Sequence, residues 1–488
     1  MKSKTNKSGD YDSLPTSESQ TQIGKNFSAA INSRELLTPK DNAHTYILEL
    51  NELKKKEAGE YNPHEYADIE HPTTFFETLI HLLKSSFGTG ILAMPLAFSH
   101  SGWVLGIIGT AFIGLLCTYC MHMLVKTEYD LCKKKQVPSM TYPATAEAAL
   151  MEGPRFMAKV APYSGTISNT FLLLYQLGTC CVYTVFVAEN IQNVCNQYFE
   201  HPVDERIIML IILLPLIFIN YIRNLKFLAP LTTMANLLTF VSFAIIFYYI
   251  FKTEITFENR LTFGNYRDYP LYFGTVLFAL EAIGVIMPLK NEMKNPQHFG
   301  SACGVLNIGM FSVVALYILT GFFGYLAYGA EVGGSISYTI EPSDIAAQVC
   351  KLMLAFAIFT THALSMYVAI DIVWTQNLVK KFEKNNHPLF WEYFIRTCLV
   401  ILTFCLAVAV PYIDLFISLV GAFCISSLGV AFPAIMDSCN KWQERRSAKS
   451  VLNHVKNVAI VIFAFLGLIV GTVTSVQKIV EKFGPEST

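Results

Sequence analysis

The chain has 488 residues, of which 53% are hydrophobic and 15% charged, with a formal net charge of −1. Soluble domains carry roughly a quarter of charged residues, so a soluble enzyme or binding domain is excluded by composition. The near-zero charge also removes any electrostatic pull toward nucleic acid.

Residues 1–73 are polar, with nine Lys/Arg and twelve Asp/Glu. They lack apolar periodicity and are expected to form a disordered cytoplasmic tail, with a short helix around 46–57. No basic n-region leads into an apolar h-region, so no cleavable signal is expected.

A bilayer core needs about 20 apolar helical residues. Eleven such runs follow: 77–98, 103–125, 165–198, 207–221, 228–251, 269–288, 305–328, 346–374, 393–410, 412–436 and 455–476. The expected fold class is an all-α polytopic membrane protein. One set of connecting segments, 126–159, 223–226, 290–294, 380–384 and 441–456, holds about 18 Lys/Arg, against about six in the opposite set. The basic set belongs in the cytoplasm. The N-terminus is then cytoplasmic, and the short C-terminus, 477–488, is not.

Span one reads Ser85-Ser86-Phe87-Gly88-Thr89-Gly90-Ile91-Leu92-Ala93-Met94-Pro95-Leu96, and span six reads Leu280-Glu281-Ala282-Ile283-Gly284-Val285-Ile286-Met287-Pro288-Leu289. Both interrupt an apolar run with glycine and then reach Met-Pro-Leu. Span six comes five spans after span one, an odd step, so the second copy is inverted: 74–251 forms one repeat, 269–436 the other, and 455–476 an added span. A broken helix exposes backbone N–H and C=O groups, which lipid penalises by several kcal/mol each. Such a break in one span alone reads as a packing kink. Breaks at corresponding places in two halves point to a transporter's binding site.

His81 lies seven residues before Gly88, two helical turns away. A histidine ordinarily titrates near pH ~6.5 and can carry a proton from an acidic side to a neutral one. A neutral imidazole satisfied by a backbone carbonyl fits the residues equally. Glu77 and Lys84 flank it and read as residues at the cytoplasmic end of the span. Glu281, three residues from Gly284, reads as a carboxylate facing the cavity. Glu189, His362 and Asp371 are further intramembrane ionisable groups, functional candidates by default. Lys290, Glu292 and Lys294 read as ordinary interface charges. Cys117 and Cys120 form a CxxC inside an apolar run with no second pair, which reads as neither zinc nor redox site. Cys180, Cys181, Cys398, Cys405 and Cys424 read as small packing residues. No metal site, no cofactor and no nucleophile–base pair is expected.

His81-Leu82-Leu83-Lys84-Ser85-Ser86-Phe87-Gly88-Thr89-Gly90-Ile91 resembles the first span of the proton-coupled amino acid transporters, within the amino acid/auxin permease superfamily, in an insect-like form. Three further stretches agree: Gln176-Leu177-Gly178 with Cys180-Cys181-Val182-Tyr183; Glu281-Ala282-Ile283-Gly284-Val285 with Met287-Pro288-Leu289; and Ile417-Ser418-Leu419-Val420-Gly421-Ala422-Phe423. The resemblance covers roughly 71–476. It implies a leucine-transporter-like five-plus-five inverted repeat with broken helices one and six. It implies proton coupling at His81 and a small neutral amino acid as substrate, held by Ser85, Ser86, Gly88, Thr89, Gly90, Glu281 and Gly284. An extracellular disulfide is also implied, for which Cys195 and Cys350 are the nearest outward candidates. The chain departs from the family where Lys84-Ser85-Ser86 replaces Lys-Gly-Asn, which alters size and polarity beside the pocket, and where Lys290 and Glu292 alter the charge after span six.

The expected function is therefore secondary transport of small neutral amino acids with protons, at the plasma membrane or a late endosomal or lysosomal membrane. Sodium-coupled or uncoupled transport, or an amino acid sensor signalling through the N-terminal tail, are the alternatives.

Overall fold

A computed structural model describes residues 61–63, 72–223, 225–280, 283–341, 343–382, 387–444 and 448–483. The chain divides into two units, Met1–Asn62 and Pro63–Thr488, and the helices below belong to the second. The helix expected around 46–57 lies outside the described residues.

α1 (Phe75–Ser86) starts in a capping box: the Thr74 hydroxyl accepts from the Glu77 N–H, and the Glu77 carboxylate accepts from the Thr74 N–H. Glu77 thus serves a helix N-terminus, which explains a carboxylate at the edge of an apolar run. The helix stops at Phe87, and α2 (Thr89–Ser101) continues at 53° to it. α3 (Trp103–Lys135) and α5 (Arg155–Cys195) overrun the expected spans. The 41 residues of α5 reach about 60 Å, so its charged start extends well beyond the hydrocarbon. Between them α4 (Tyr142–Met151) is capped by Thr141, inside what reads in sequence as loop.

α6 (Glu205–Asn220) and α7 (Leu225–Lys252) follow. Span six is α8 (Tyr269–Ala279) and α9 (Ile283–Asn291), interrupted between them. α10 (Val305–Tyr328) and the short α11 (Ile336–Thr339) lead to α12 (Ile345–Ile370). α12 runs into a π-helical stretch, Asp371–Leu378, and α13 (Val379–Phe382). α14 (Pro388–Ala409) and α15 (Ile413–Val420) are separated at Pro411, as the sequence suggests. A second π-helical stretch, Gly421–Ala431, joins α15 to α16 (Phe432–Asn440), and α17 (Ala448–Phe483) ends the fold.

Among the described residues, nine helices are long and apolar enough to cross a bilayer, and the bent pair α1/α2 makes a tenth. The remaining expected run is α6, whose 16 residues reach about 24 Å and fall short of a full hydrocarbon layer. The span α8/α9 and the span containing α15 and α16 are the most enclosed, with 75% and 83% of their apolar windows buried, against 22% for α17. The two enclosed spans form the centre, and α17 lies at the rim.

Two sequence expectations need correction. Lys290 is not an interface charge: it is 4% exposed and its ammonium pairs with Glu128 of α3, itself fully buried. Desolvation forces a buried ammonium to find a carboxylate. The implied Cys195–Cys350 bridge does not form. None of the twelve cysteines is in a disulfide, and the buried Cys350 thiol donates to the Ser242 carbonyl. Cys180, Cys181 and Cys424 are buried as expected, whereas Cys398 and Cys405 lie on the exposed face of α14.

Candidate functional site

The two helix breaks meet. A Cβ placed on Gly90 would fall 2.6 Å from the Cα of Ala279, the last residue of α8. Only glycine lets α2 approach α8 this closely. Beside this contact the buried Tyr317 hydroxyl of α10 faces two carbonyls, those of Ser86 and Ala279, at the ends of α1 and α8. Its single proton serves both acceptors. Carbonyls at a helix end lack their usual intrahelical partner; Tyr317 joins the Gly88 N–H at the Ser86 carbonyl and also serves the Ala279 carbonyl.

No side chain caps the N-terminus of α2 at Gly88. The buried Thr89 hydroxyl has no hydrogen-bond partner among the described residues, and the Tyr183 hydroxyl of α5 approaches Gly88. An uncapped helix start beside an unsatisfied hydroxyl can receive a carboxylate. Phe87, at the turn, packs edge-on against Phe240 of α7 with ring centroids 5.4 Å apart.

The remaining sequence motifs close around α8. A Cβ on Gly178 would meet Val420 at 2.4 Å, and one on Gly274 would meet the Ser418 carbonyl at 2.3 Å. Gly421 lies against the Gly274 carbonyl at 1.9 Å by the same construction. At Gly90, Gly274 and Gly421 backbone meets backbone, whereas Gly178 seats the Val420 side chain of α15.

Below the second break lies a cavity of about 530 Å³, lined among others by Gly284, Asn291, Asn169, Asp371 and Gln376. Its polar wall is connected: the Asn169 amide donates to the Gln376 carbonyl oxygen, and the Gln376 amide donates to Asp371. Asp371 opens the π-helical stretch after α12, and π-bulges recur at functional sites.

Ser86, Gly88, Thr89 and Gly90 are therefore at the meeting of the breaks, and Gly284 is on the cavity wall. Ser85 is exposed, and its hydroxyl donates to the Leu82 carbonyl. His81 is on the same exposed face of α1, opposite the buried Thr78, Leu82 and Ser86, and is not part of the cavity lining. Glu281 lies outside the described residues. Of the unranked ionisable groups, Asp371 reaches the cavity. His362 is buried between α12 and α6, its Nδ1 3.4 Å from the Asn220 amide. Glu189 sits beside Tyr338 of α11, away from the breaks.

Sequence reasoning passes over Tyr317 and Glu128. Tyr317 is one more aromatic in an apolar run, and Glu128 sits among the charges that close α3. Neither carries a local signal, because each acts on a partner more than 160 residues away, or, for Tyr317, on two partners at once.

The start of span one and the end of span six are also tied. Thr73 N–H donates to the Glu292 carbonyl at 2.8 Å, and Lys294 N–H donates to the Thr73 carbonyl at 2.9 Å. The start of span one is thereby bound to the end of span six, which Lys290 binds to α3.

Comparison with known proteins adds four findings. Residues 71–477 match the family described as transmembrane amino acid transporter protein. The chain is 38% identical over 427 residues to the proton-coupled amino acid transporter-like protein pathetic of Drosophila melanogaster, covering 87% of this chain and 89% of that one. It is 26% identical over 415 residues to the amino acid transporter AVT3A of Arabidopsis thaliana, covering 84% and 90%. Among solved structures, the inward-facing conformation of Mhp1 superposes with a TM-score of 0.51 at 13% identity, covering 85% of this chain and 92% of that one. The fold is accordingly leucine-transporter-like.

Proposed function

The chain belongs to the transmembrane amino acid transporter family, and from that premise we propose that it is a proton symporter for small neutral amino acids. The observation that carries this reading is the meeting of the two broken spans at Gly90 and Ala279, under a hydroxyl that serves both ends. A zwitterion has one group for each kind of exposed backbone. Its carboxylate goes to the uncapped start of α2 at Gly88–Gly90, beside the Thr89 hydroxyl. Its ammonium goes to the carbonyl end of α8, with Glu281 nearby in sequence. The Tyr183 hydroxyl and the Phe87 ring border this place. Proton coupling is supported by the name of the Drosophila relative and by His81.

The mechanism moves one group of helices against another. Tyr317, the Thr73 contacts and the Glu128–Lys290 pair link spans one, two, six and seven into a single body. We assign the 530 Å³ cavity below Gly284 as the cytoplasmic exit, because the basic connections after α3 and α9 lie at that end. His81 loads from the acidic side, favours the occupied carrier and releases its proton inward. Eleven spans, with 74–251 and 269–436 as the inverted halves, complete the proposed architecture.

The driving force suffices. One charge crossing about 100 mV releases about 2.3 kcal/mol. One pH unit adds about 1.4 kcal/mol. The sum, roughly 3.7 kcal/mol, supports a gradient on the order of 500-fold.

Proteoliposomes with an imposed pH gradient and a panel of labelled amino acids test the reading. Uptake of glycine, alanine or proline driven by an acidic exterior, with an inward current, supports it. Uptake that needs sodium and ignores pH assigns the other coupling ion and overturns it.

A further inference from the structure

A second cavity lies apart from the helix breaks. It is a space of about 890 Å³ between α3, α16 and α17, lined by Tyr119, His122, Lys126, Lys441, Asn453 and Lys456 among others. It plays no part in the path described above. Its charge is lopsided. Three lysines line it, and its single carboxylate, Asp437, is already occupied: it pairs with Lys441 and accepts from the Asn453 and Asn457 amides at 2.9 and 2.7 Å. Lys126 and Lys456 make no ion pair within 4.0 Å of any described residue, and the Asp130 carboxylate, one turn along α3, acts on Lys126 and Lys441 only at longer range. Lys456 rests over the Tyr119 ring, 4.6 Å from its centroid, and bonds the Tyr119 hydroxyl and the Asn453 carbonyl oxygen.

The setting is as specific as the charge. Two of the basic connections that the Lys/Arg excess places in the cytoplasm, 126–159 and 441–456, come together here. The adjoining face of α17 is apolar and open: Leu452, Val455, Val458 and Ile462 are all more than half exposed. An acyl chain has an open apolar helix face to lie along, and a headgroup has the cationic cavity at its end.

We propose that this cavity is a binding site for the polyphosphorylated headgroup of a cytoplasmic-leaflet phospholipid, a phosphoinositide. Basic pockets between membrane helices on the cytoplasmic side suit such headgroups. Phosphate oxygens take ammonium donors well, and three lysines converging on one space ask for more than one phosphate. The volume lies at the upper end of the ~300–1,000 Å³ of ordinary ligand sites, more than a serine or choline headgroup needs. The lipid is favoured over a soluble polyphosphate because the apolar α17 face continues from the cavity.

The test uses the full chain in phosphatidylcholine nanodiscs titrated with a fluorescent phosphatidylinositol bisphosphate. Saturable one-site binding is expected. It should weaken about fivefold for each lysine removed, so about 25-fold in Lys126→Gln/Lys456→Gln, and hold in the opposite-end control Lys478→Gln. The single substitutions provide the same readout should the double variant not be monodisperse. Unchanged affinity in all the Lys126 and Lys456 variants overturns the proposal. So does equal binding of phosphatidylserine at matched charge, or equal affinity for soluble inositol trisphosphate, which assigns the cavity to a soluble anion. The measurement needs no transport, so its outcome is separate from that of the uptake experiment.

Discussion

Gly90 and Ala279 touch backbone to backbone: a Cβ at position 90 would lie 2.6 Å from the Ala279 Cα. The contact joins the second half of span one to the first half of span six, and neither partner is a flexible side-chain tip. Gly90→Ala should therefore force the helices apart at a cost of about 1–3 kcal/mol, the usual range for overpacking. Gly88 differs. A Cβ there meets only the Tyr183 hydroxyl at 3.9 Å. Gly90→Ala is expected to lower both thermal stability and uptake, and Gly88→Ala to preserve stability. Equal melting temperatures for both variants would show that the contact carries no load.

Tyr317→Phe keeps the ring and removes the proton that serves Ser86 and Ala279. Leaving buried acceptors unsatisfied costs about 1–3 kcal/mol. Since the two carbonyls belong to different spans, the loss should also loosen their common motion. Reduced turnover is expected, together with greater labelling of a cysteine placed at Ser85 by a membrane-impermeant thiol reagent. Wild-type turnover and labelling would contradict the role given to this hydroxyl.

Glu128 and Lys290 form a buried pair between α3 and α9. Lys290→Ala leaves the Glu128 carboxylate alone in the interior, at a cost of about 3–5 kcal/mol. Removing both charges in Glu128→Gln/Lys290→Met should restore much of that stability, because replacing a buried pair by apolar groups is often neutral. Thermal unfolding of the purified variants checks this. A double variant no better than the single one would place the loss in something other than the stranded charge.

His81 is exposed on α1 and touches neither break. His81→Ala should change stability by no more than about 0.5 kcal/mol, as for a surface substitution. Its effect should appear in the pH dependence of uptake, with the acid-stimulated component lost. Uptake that keeps its full pH profile would assign proton coupling to another group, with Asp371 the first to examine.

Asp371 closes the polar wall of the cavity through Gln376 and Asn169. Asp371→Asn removes its charge and rearranges that chain. If the cavity is the exit path, substrate release and turnover should change while the outside-facing KM stays within about threefold. A large KM change alone would move Asp371 into the first binding step.

Much of this was legible in the amino-acid order. Of the eleven apolar runs read from hydropathy, ten match elements long and apolar enough to cross a bilayer among the described residues, because about 20 apolar residues in a row can satisfy their backbone in lipid only as a helix. The paired glycine interruptions marked two spans that meet, at Gly90 and Ala279. The helix ends were less legible. α3, α5 and α17 all run past their apolar windows, since helix propensity does not stop where the hydrocarbon does.

Gly88, Gly90 and Gly284 were readable as breaks, but that Gly90 rests on Ala279 was not. Nor was the shared hydroxyl of Tyr317, the burial of Lys290 against Glu128, or the convergence of Lys126, Lys441 and Lys456 on one cavity. Each of these joins residues from different helices. Sequence periodicity determines which face of a helix is apolar. Which neighbour that face meets, and at what depth, is decided only when the helices pack, because close backbone approach and buried charge pairing are properties of two partners. The same chain-order lysines that read as an ordinary cytoplasmic signal became a binding surface once α3, α16 and α17 came together.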